Sequence, residues 1–287
     1  MRYALCVMRL KSLKEIVIMR EGGRILAGIL DEICRAIKPG ITTDELEKMA
    51  CDLIKKAGGS PSFKGYKMHD GEIFPTALCT SINNEVVHAP ALPSRKLNSG
   101  DIIDIDIGYR TSDIGSQKLN NKYYNSKSDI RNLTSGFYLD MSRTVAVGKI
   151  SKQARRLINV TKKSLELAIK QVKPGNTLND IGGAVQDFVE SQGFSVVREL
   201  VGHGVGYKVH EDPKVPNYKI TDKSLKNIIL QPGMVLAIEP MVNIGGWRVK
   251  TAPDGFTSIT SDKSLSAHFE HTVAVVDEGC KVLTHNA

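Results

Sequence analysis

The segment KPGITTDELEKMACDLIKKAGG, beginning at Lys38, returns as KPGNTLNDIGGAVQDFVESQGF at Lys173, 135 residues later. Lys-Pro-Gly-x-Thr recurs in register, as do the apolar positions Leu46/Ile181, Leu53/Phe188 and Ile54/Val189. A repeat at this spacing confines the chain to two halves built on the same supersecondary unit. In each copy Pro-Gly stops one helix, and Thr42 or Thr177 caps the next with an acid three residues on, Glu45 or Asp180. Upstream, 13–37 and 151–172 carry apolar residues at helical spacing, for instance Leu26, Ile29, Leu30, Ile33 and Ile37. Strand-like runs follow each helix pair, at 77–83, 101–109 and 137–147, then at 194–200, 234–242 and 268–276. Two helices followed by antiparallel strands, twice over, predict an α+β fold: one domain over 1–287 with pseudo-symmetric halves at about 12–149 and 150–284. A site is then expected at the seam. The polar stretch 111–136 interrupts a strand pair and reads as an exposed loop, and 252–261 as a turn or short hairpin.

Several classes are excluded. No apolar run reaches the roughly 18 residues of a membrane helix, and the N-terminal MRYALCVMRLK lacks a sustained apolar region with a cleavage pattern. Five cysteines, Cys6, Cys34, Cys51, Cys79 and Cys280, form no C-x-x-C pair and suit a reducing compartment. Together these predict a cytoplasmic protein without membrane contact. The net charge of +8 concentrates in the first twenty residues (Arg2, Arg9, Lys11, Lys14, Arg20) and the 111–136 insertion. That basicity serves either solubility or contact with an anionic surface such as ribosomal RNA.

The chemistry lies in acids that interrupt apolar strands. DIIDIDIGYR sets Asp104 and Asp106 on one face and Ile103, Ile105 and Ile107 on the other. Alone, that motif fits a solvated outer face equally well. The interruption recurs, however, at Asp140 in GFYLDMSRTVAVG, Glu239 in LAIEPMV and Glu270 in SAHFEHTVAV, and His203 sits in glycine-rich LVGHGVGYKVHEDP with His210 seven residues on. Converging carboxylates cannot all stay ionised without cations. A site for two divalent ions accounts for them, with oxygen-dominated ligation and one imidazole suiting Co, Mn, Fe(II) or Zn. No Walker motif, Rossmann fingerprint, G-x-S-x-G elbow or H-E-x-x-H helix is present.

Over about 16–284, the motifs CTSINNEVVHAP, DIDIG, LDMSRT, GHGVGYKVHEDP, AIEPMV and SAHFEHT, in this order, resemble the methionine aminopeptidases, metal-dependent enzymes of the pita-bread fold. The resemblance implies removal of the initiator methionine from nascent polypeptide N-termini when the second residue is small. It implies that Asp106 holds one metal, His203 and Glu239 the other, and that Asp140 and Glu270 bridge both. A bridging water or hydroxide is expected to attack the scissile carbonyl, with Glu239 as proton shuttle. His210 is expected to stabilise the tetrahedral intermediate and His88 to contact the scissile amide. Cys79, Phe74 and Trp247 match positions lining the methionine pocket. A monomer with transient ribosome association is expected.

The chain departs from the family pattern in places. Asp106 and Asp140 lie 34 residues apart because of the 111–136 insertion, which costs little, since loop-closure entropy grows only logarithmically. Val209 replaces a common aromatic before His210, pointing to a wider pocket. GYKMHDGEIFP is longer than usual, with Tyr66 placed either in the pocket or outside it and His69 and Asp70 read as solvated loop residues. Proline-specific aminopeptidases and prolidases share the fold and ligands. AIEPMV, CTSINNEVVHAP and the absence of a long helical insertion between His203 and Glu239 favour the type I methionine enzymes. The alternative from another class is a ligand-free binding protein of the same fold.

Overall fold

The computed structural model describes residues 9–68, 71–111 and 136–286. The expected insertion, except Thr111 and Gly136, and the expected loop residues His69 and Asp70 lie outside the described residues.

Four helices form where the apolar periodicity places them: α1 (Leu13–Ala36), α2 (Thr43–Lys56), α3 (Lys152–Gln171) and α4 (Leu178–Ser191), with a single extra turn α5 (Lys223–Lys226). The repeated turn is physically the same object in both halves. The Glu45 carboxylate accepts from Thr42 N at 2.8 Å, and the Asp180 carboxylate from Thr177 N at 2.7 Å. Gly40 and Gly175 both take positive φ, 98° and 88°, where a Cβ is strained. Their N–H groups donate to Leu97 O and Leu230 O at 2.8 and 3.1 Å, so each turn is tied to the chain entering its half's sheet.

Fourteen strands are present among the described residues: β1 (Ser60–Pro61), β2 (Leu78–Ile82), β3 (Glu85–Val87), β4 (Ile102–Arg110), β5 (Tyr138–Ala146), β6 (Ser195–Val196), β7 (Gly202–Gly204), β8 (Glu211–Val215), β9 (Val235–Ile238), β10 (Met241–Asn243), β11 (Val249–Thr251), β12 (Ser258–Thr260), β13 (Ser266–Val276) and β14 (Gly279–Val282). The main sheet runs β1-β4-β5-β13-β9-β7-β8, and a small sheet runs β11-β12-β3. The halves meet where β5 of the first pairs antiparallel with β13 of the second.

Two expected strands are shorter than their apolar runs. The run 194–200 pairs only at Ser195–Val196, and 234–242 breaks between Ile238 and Met241. Pro240 has no N–H to give the ladder, so the sheet opens at Glu239. Around 252–261, β11 and β12 form the expected hairpin.

The two-residue period sorts each long strand into two faces. Ile103, Ile105 and Ile107 pack with Leu26, Leu30 and Ile33 of α1, while Phe269, Val273 and Val275 pack with Leu157 and Leu165 of α3. The helices therefore cover one face of the sheet. Asp104, Asp106, His268 and Glu270, at alternate positions, face the other way.

Gly40→Ala and Gly175→Ala are each expected to cost about 1–3 kcal/mol, since both sites hold a positive φ. Gly28→Ala, inside α1 with nothing within 4 Å of the added methyl, is expected to gain about 0.5–1 kcal/mol. Denaturant unfolding of the three variants checks both signs.

Candidate metal centre and active site

The strand register places the acids in rows. Cys79 on β2 lies opposite Asp106 on β4, Asp106 opposite Ser142 on β5, and Ser142 opposite Glu270 on β13. Asp140 shares the face of Ser142, two residues away. His203 on β7 pairs with Ala237 of β9, two residues before Glu239. All five residues, Asp106, Asp140, His203, Glu239 and Glu270, line one cavity of about 730 Å³. Ligand atoms of Asp140, His203 and Glu270 lie within 4.8 Å of one another.

Burial dominates the electrostatics. Asp106, Asp140 and Glu270 are buried, with side-chain oxygens Oδ1, Oδ1 and Oε1 that meet no hydrogen-bond donor. Desolvation, with the Asp104 and Glu239 charges added, pushes the Asp106 carboxyl up to about 7. Desolvation and mutual repulsion drive Asp140 and Glu270 well above the ordinary carboxylate range. Burial acts to raise Glu239 too, but the His268 imidazole, chief among its neighbours, outweighs it and holds Glu239 below the usual glutamate range.

Three buried carboxylates with unmet oxygens fit a bound cation, which supplies the missing positive charge and partners at once. The histidine fits as well. His203 Nδ1 lies 2.9 Å from Gly204 O, and because a carbonyl only accepts, the proton resides on Nδ1. The Nε2 lone pair, 3.5 Å from Glu239 Oε1, is left free to ligate.

Of the other expected residues, His88, His210, Phe74 and Cys79 line the same cavity. His88 sits in a strained turn at φ 62°. Arg95 braces that turn, donating to Glu85 Oε2, Thr80 O and Pro90 O at 2.7, 2.7 and 3.0 Å. Burial lowers the His88 pKa, leaving its ring neutral. The His210 ring packs edge-on to His203 with centroids 4.5 Å apart.

Trp247 does not line the cavity. It lies outside, with the guanidinium groups of Arg198 and Arg248 at 5.0 and 4.6 Å from its ring centroid. The aromatic wall is instead Phe63, Tyr66 and Phe74; Phe63 and Phe74 pack edge to face at 6.5 Å, and Phe256 backs Phe74 from outside the lining at 5.6 Å. Phe256 lies in APDGFTSITS, which reads as a turn or short hairpin, and one Phe there carries no periodic signal. Tyr66 does reach the pocket, its Oη 3.0 Å from His210 Nδ1. Val209 is 6% exposed and lies behind the lining. Sequence reasoning also missed His268, treated below.

The family model for metallopeptidase family M24 matches residues 17–117 and 127–277. The chain belongs to metallopeptidase family M24. Within it, the chain is 44% identical to a methionine aminopeptidase of Clostridium perfringens, over 96% of this chain and 98% of that protein. It is 45% identical to methionine aminopeptidase 1 of Bacillus subtilis at the same coverage. The crystal structure of the Thermotoga maritima methionine aminopeptidase superposes with a TM-score of 0.83 at 37% identity, covering 96% of this chain and 98% of that one. A Pyrococcus horikoshii prolidase, at 20% identity and TM-score 0.69, shares the fold. The architecture is the pita-bread fold of these M24 enzymes. The break in the family match, at 118–126, falls inside the polar insertion.

Asp106, Asp140 and Glu270 have folded-state pKa values raised above their unfolded ones. In metal-free protein they therefore favour the fold at low pH, and that contribution is lost as pH rises through about 7. A divalent cation displaces those protons. The difference in Tm between Mn(II)-loaded and chelator-treated protein should widen from about pH 5 to about pH 8 by scanning calorimetry. A constant difference would contradict the assignment.

Proposed function

We propose that the chain is a type I methionine aminopeptidase that removes the initiator methionine from nascent polypeptides when the second residue is small. The observation that carries this reading is a buried carboxylate–imidazole cluster flooring a cavity walled by Phe63, Phe74, Tyr66 and Cys79. The names of the 44–45% identical relatives support it. A thioether side chain suits that wall, since sulfur packs favourably against aromatic edges.

In this reading the cluster holds two divalent ions of the Co, Mn, Fe(II) or Zn type. Asp106 would hold one and His203 and Glu239 the other, with Asp140 and Glu270 completing the ligand set. When bound, such ions polarise the scissile carbonyl and acidify a water.

The protein's own groups do the rest. Glu239, held below the usual glutamate range chiefly by the adjoining His268 imidazole, takes up the proton of the attacking water and passes it to the leaving amine. Tyr66 Oη lies 3.0 Å from His210 Nδ1; in this reading the hydroxyl donates there and the ring proton is carried on Nε2. From there His210 donates to the scissile carbonyl oxygen as negative charge builds on it. Neutral His88 hydrogen-bonds the scissile amide. The free α-amine of the substrate lies at the Asp106 end, which restricts cleavage to the first residue.

The proposed setting is a cytoplasmic monomer acting on chains leaving the ribosome. No helix among the described residues is long and apolar enough to cross a membrane. Any ribosome contact through the N-terminal arm excludes Lys11, which is 4% exposed and paired with Glu211 at 2.6 Å. Arg20 is likewise turned inward, donating to Leu283 O at 2.8 Å.

Purified protein with Mn(II) is expected to release methionine from Met-Ala-Ser, and to lose that activity with chelator. Absence of release under every divalent ion tried would overturn the reading, as would preferential cleavage of Xaa-Pro dipeptides. His210→Ala should lower kcat about 100-fold or more while the metal content stays unchanged by elemental analysis. Asp106→Asn should lose activity together with bound metal.

A further inference from the structure

One buried group beside the cluster touches neither the substrate nor the ligand set assigned above. His268 on β13 is 1% exposed and faces the same side of the sheet as Glu270. Its Nδ1 lies 3.2 Å from Asp104 Oδ2, and its Nε2 lies 3.6 Å from Glu239 Oε2 without a hydrogen-bond partner of its own. Asp104 is fixed in turn, with Thr144 Oγ1 at 3.2 Å from its Oδ1. The same Thr144 hydroxyl contacts the backbone of His268 on both sides, accepting from His268 N at 2.8 Å and lying 2.9 Å from His268 O. The imidazole is therefore clamped between two carboxylates and cannot swing.

Glu239 needs such a clamp. Asp106, Asp140 and Glu270 stand on continuous strands, whereas Glu239 falls in the gap between β9 and β10, where Pro240 ends the ladder. His268 pairs with Met241, the first residue past that gap, which brings its ring to the unsupported carboxylate. Glu239 thus sits between two imidazoles, with Oε1 3.5 Å from His203 Nε2 and Oε2 3.6 Å from His268 Nε2.

We propose that His268, locked by Asp104, is a positioning residue that holds the Glu239 carboxylate toward His203 and the metal cluster. The proposal deepens the aminopeptidase reading and rests on it for the role of Glu239. It also makes a claim about metal binding alone. Outer-shell partners that orient a ligating carboxylate are worth about 10–100-fold in affinity or turnover.

The test compares His268→Gln, whose side-chain amide keeps an N–H facing Glu239, with His268→Met, which has similar length and no donor. Chelator-stripped proteins are titrated with Mn(II) by calorimetry, and kcat and KM are measured on Met-Ala-Ser. His268→Met is expected to bind Mn(II) about 10–100-fold more weakly and to lose kcat by a similar factor. Its KM should stay within about twofold, since the methionine wall is untouched, and His268→Gln should recover most of both losses. Asp104→Asn, which loosens the ring without removing it, should fall between. Equal behaviour of the Gln and Met variants, or wild-type Mn(II) affinity in His268→Met, would overturn the proposal. Should wild-type protein bind Mn(II) yet release no methionine, the functional reading fails while the calorimetric comparison still decides the role of His268.

Discussion

Everything in this protein is arranged around the problem of keeping negative charge inside a sheet. Asp104, Asp106, Asp140 and Glu270 are all nearly inaccessible to solvent on one face of continuous strands, where an uncompensated carboxylate is strongly disfavoured. Two different remedies operate side by side. Asp104 is answered within the protein, by His268 and Thr144. Asp106, Asp140 and Glu270 keep unmatched oxygens, and their remedy has to come from a cation. The boundary between the structural and the functional acids thus runs between Asp104 and Asp106, two residues apart on one strand.

The duplicated architecture explains how acids from distant parts of the chain reach one place. Each half delivers a helix pair to the same face of the sheet and leaves the opposite face of its strands bare. Joining the halves at β5 and β13 sets Ser142 and Glu270 directly opposite, so the first half's Asp106 row continues into the second half without a gap. The connection between β4 and β5 plays no part in this alignment. Their register holds from Ile102↔Ala146 to Arg110↔Tyr138, and the polar insertion leaves the ladder only after the last paired residues. An insertion there adds loop-closure entropy but moves no ligand.

What the sequence made legible follows from what leaves a periodic or repeated signal. The helix pairs, their caps and the acids on β4, β5 and β13 were readable because period-two or period-3.6 patterns, or the Lys-Pro-Gly-x-Thr repeat, single them out. Glu239 was readable as an acid in an apolar run, but the break it sits in was not, because Pro240 could equally have ended the strand. The pocket wall was the least legible part. Trp247 was expected there but lies outside the lining, because it sits in a turn whose side-chain directions depend on the β11–β12 hairpin and not on any local pattern. His268 was hidden for another reason. Beside Phe269 and Glu270 it looks like one more polar interruption, and only the pairing of β13 with β10 shows that it faces Glu239.

The division between sheet and loops also separates two demands that the proposed chemistry makes. Charge compensation needs fixed distances, and its residues stand on paired strands or, for Glu239, are clamped by a residue that does. Recognition of a flexible side chain tolerates adjustment, and Phe63, Tyr66 and Phe74 all lie in loops outside the main ladder. His210 belongs to both systems. Its ring packs edge to face with His203 and lies against Tyr66 through Nδ1, so a shift of Tyr66 moves a partner of that ring. In the proposed chemistry, Tyr66 therefore bears on turnover and not only on pocket size.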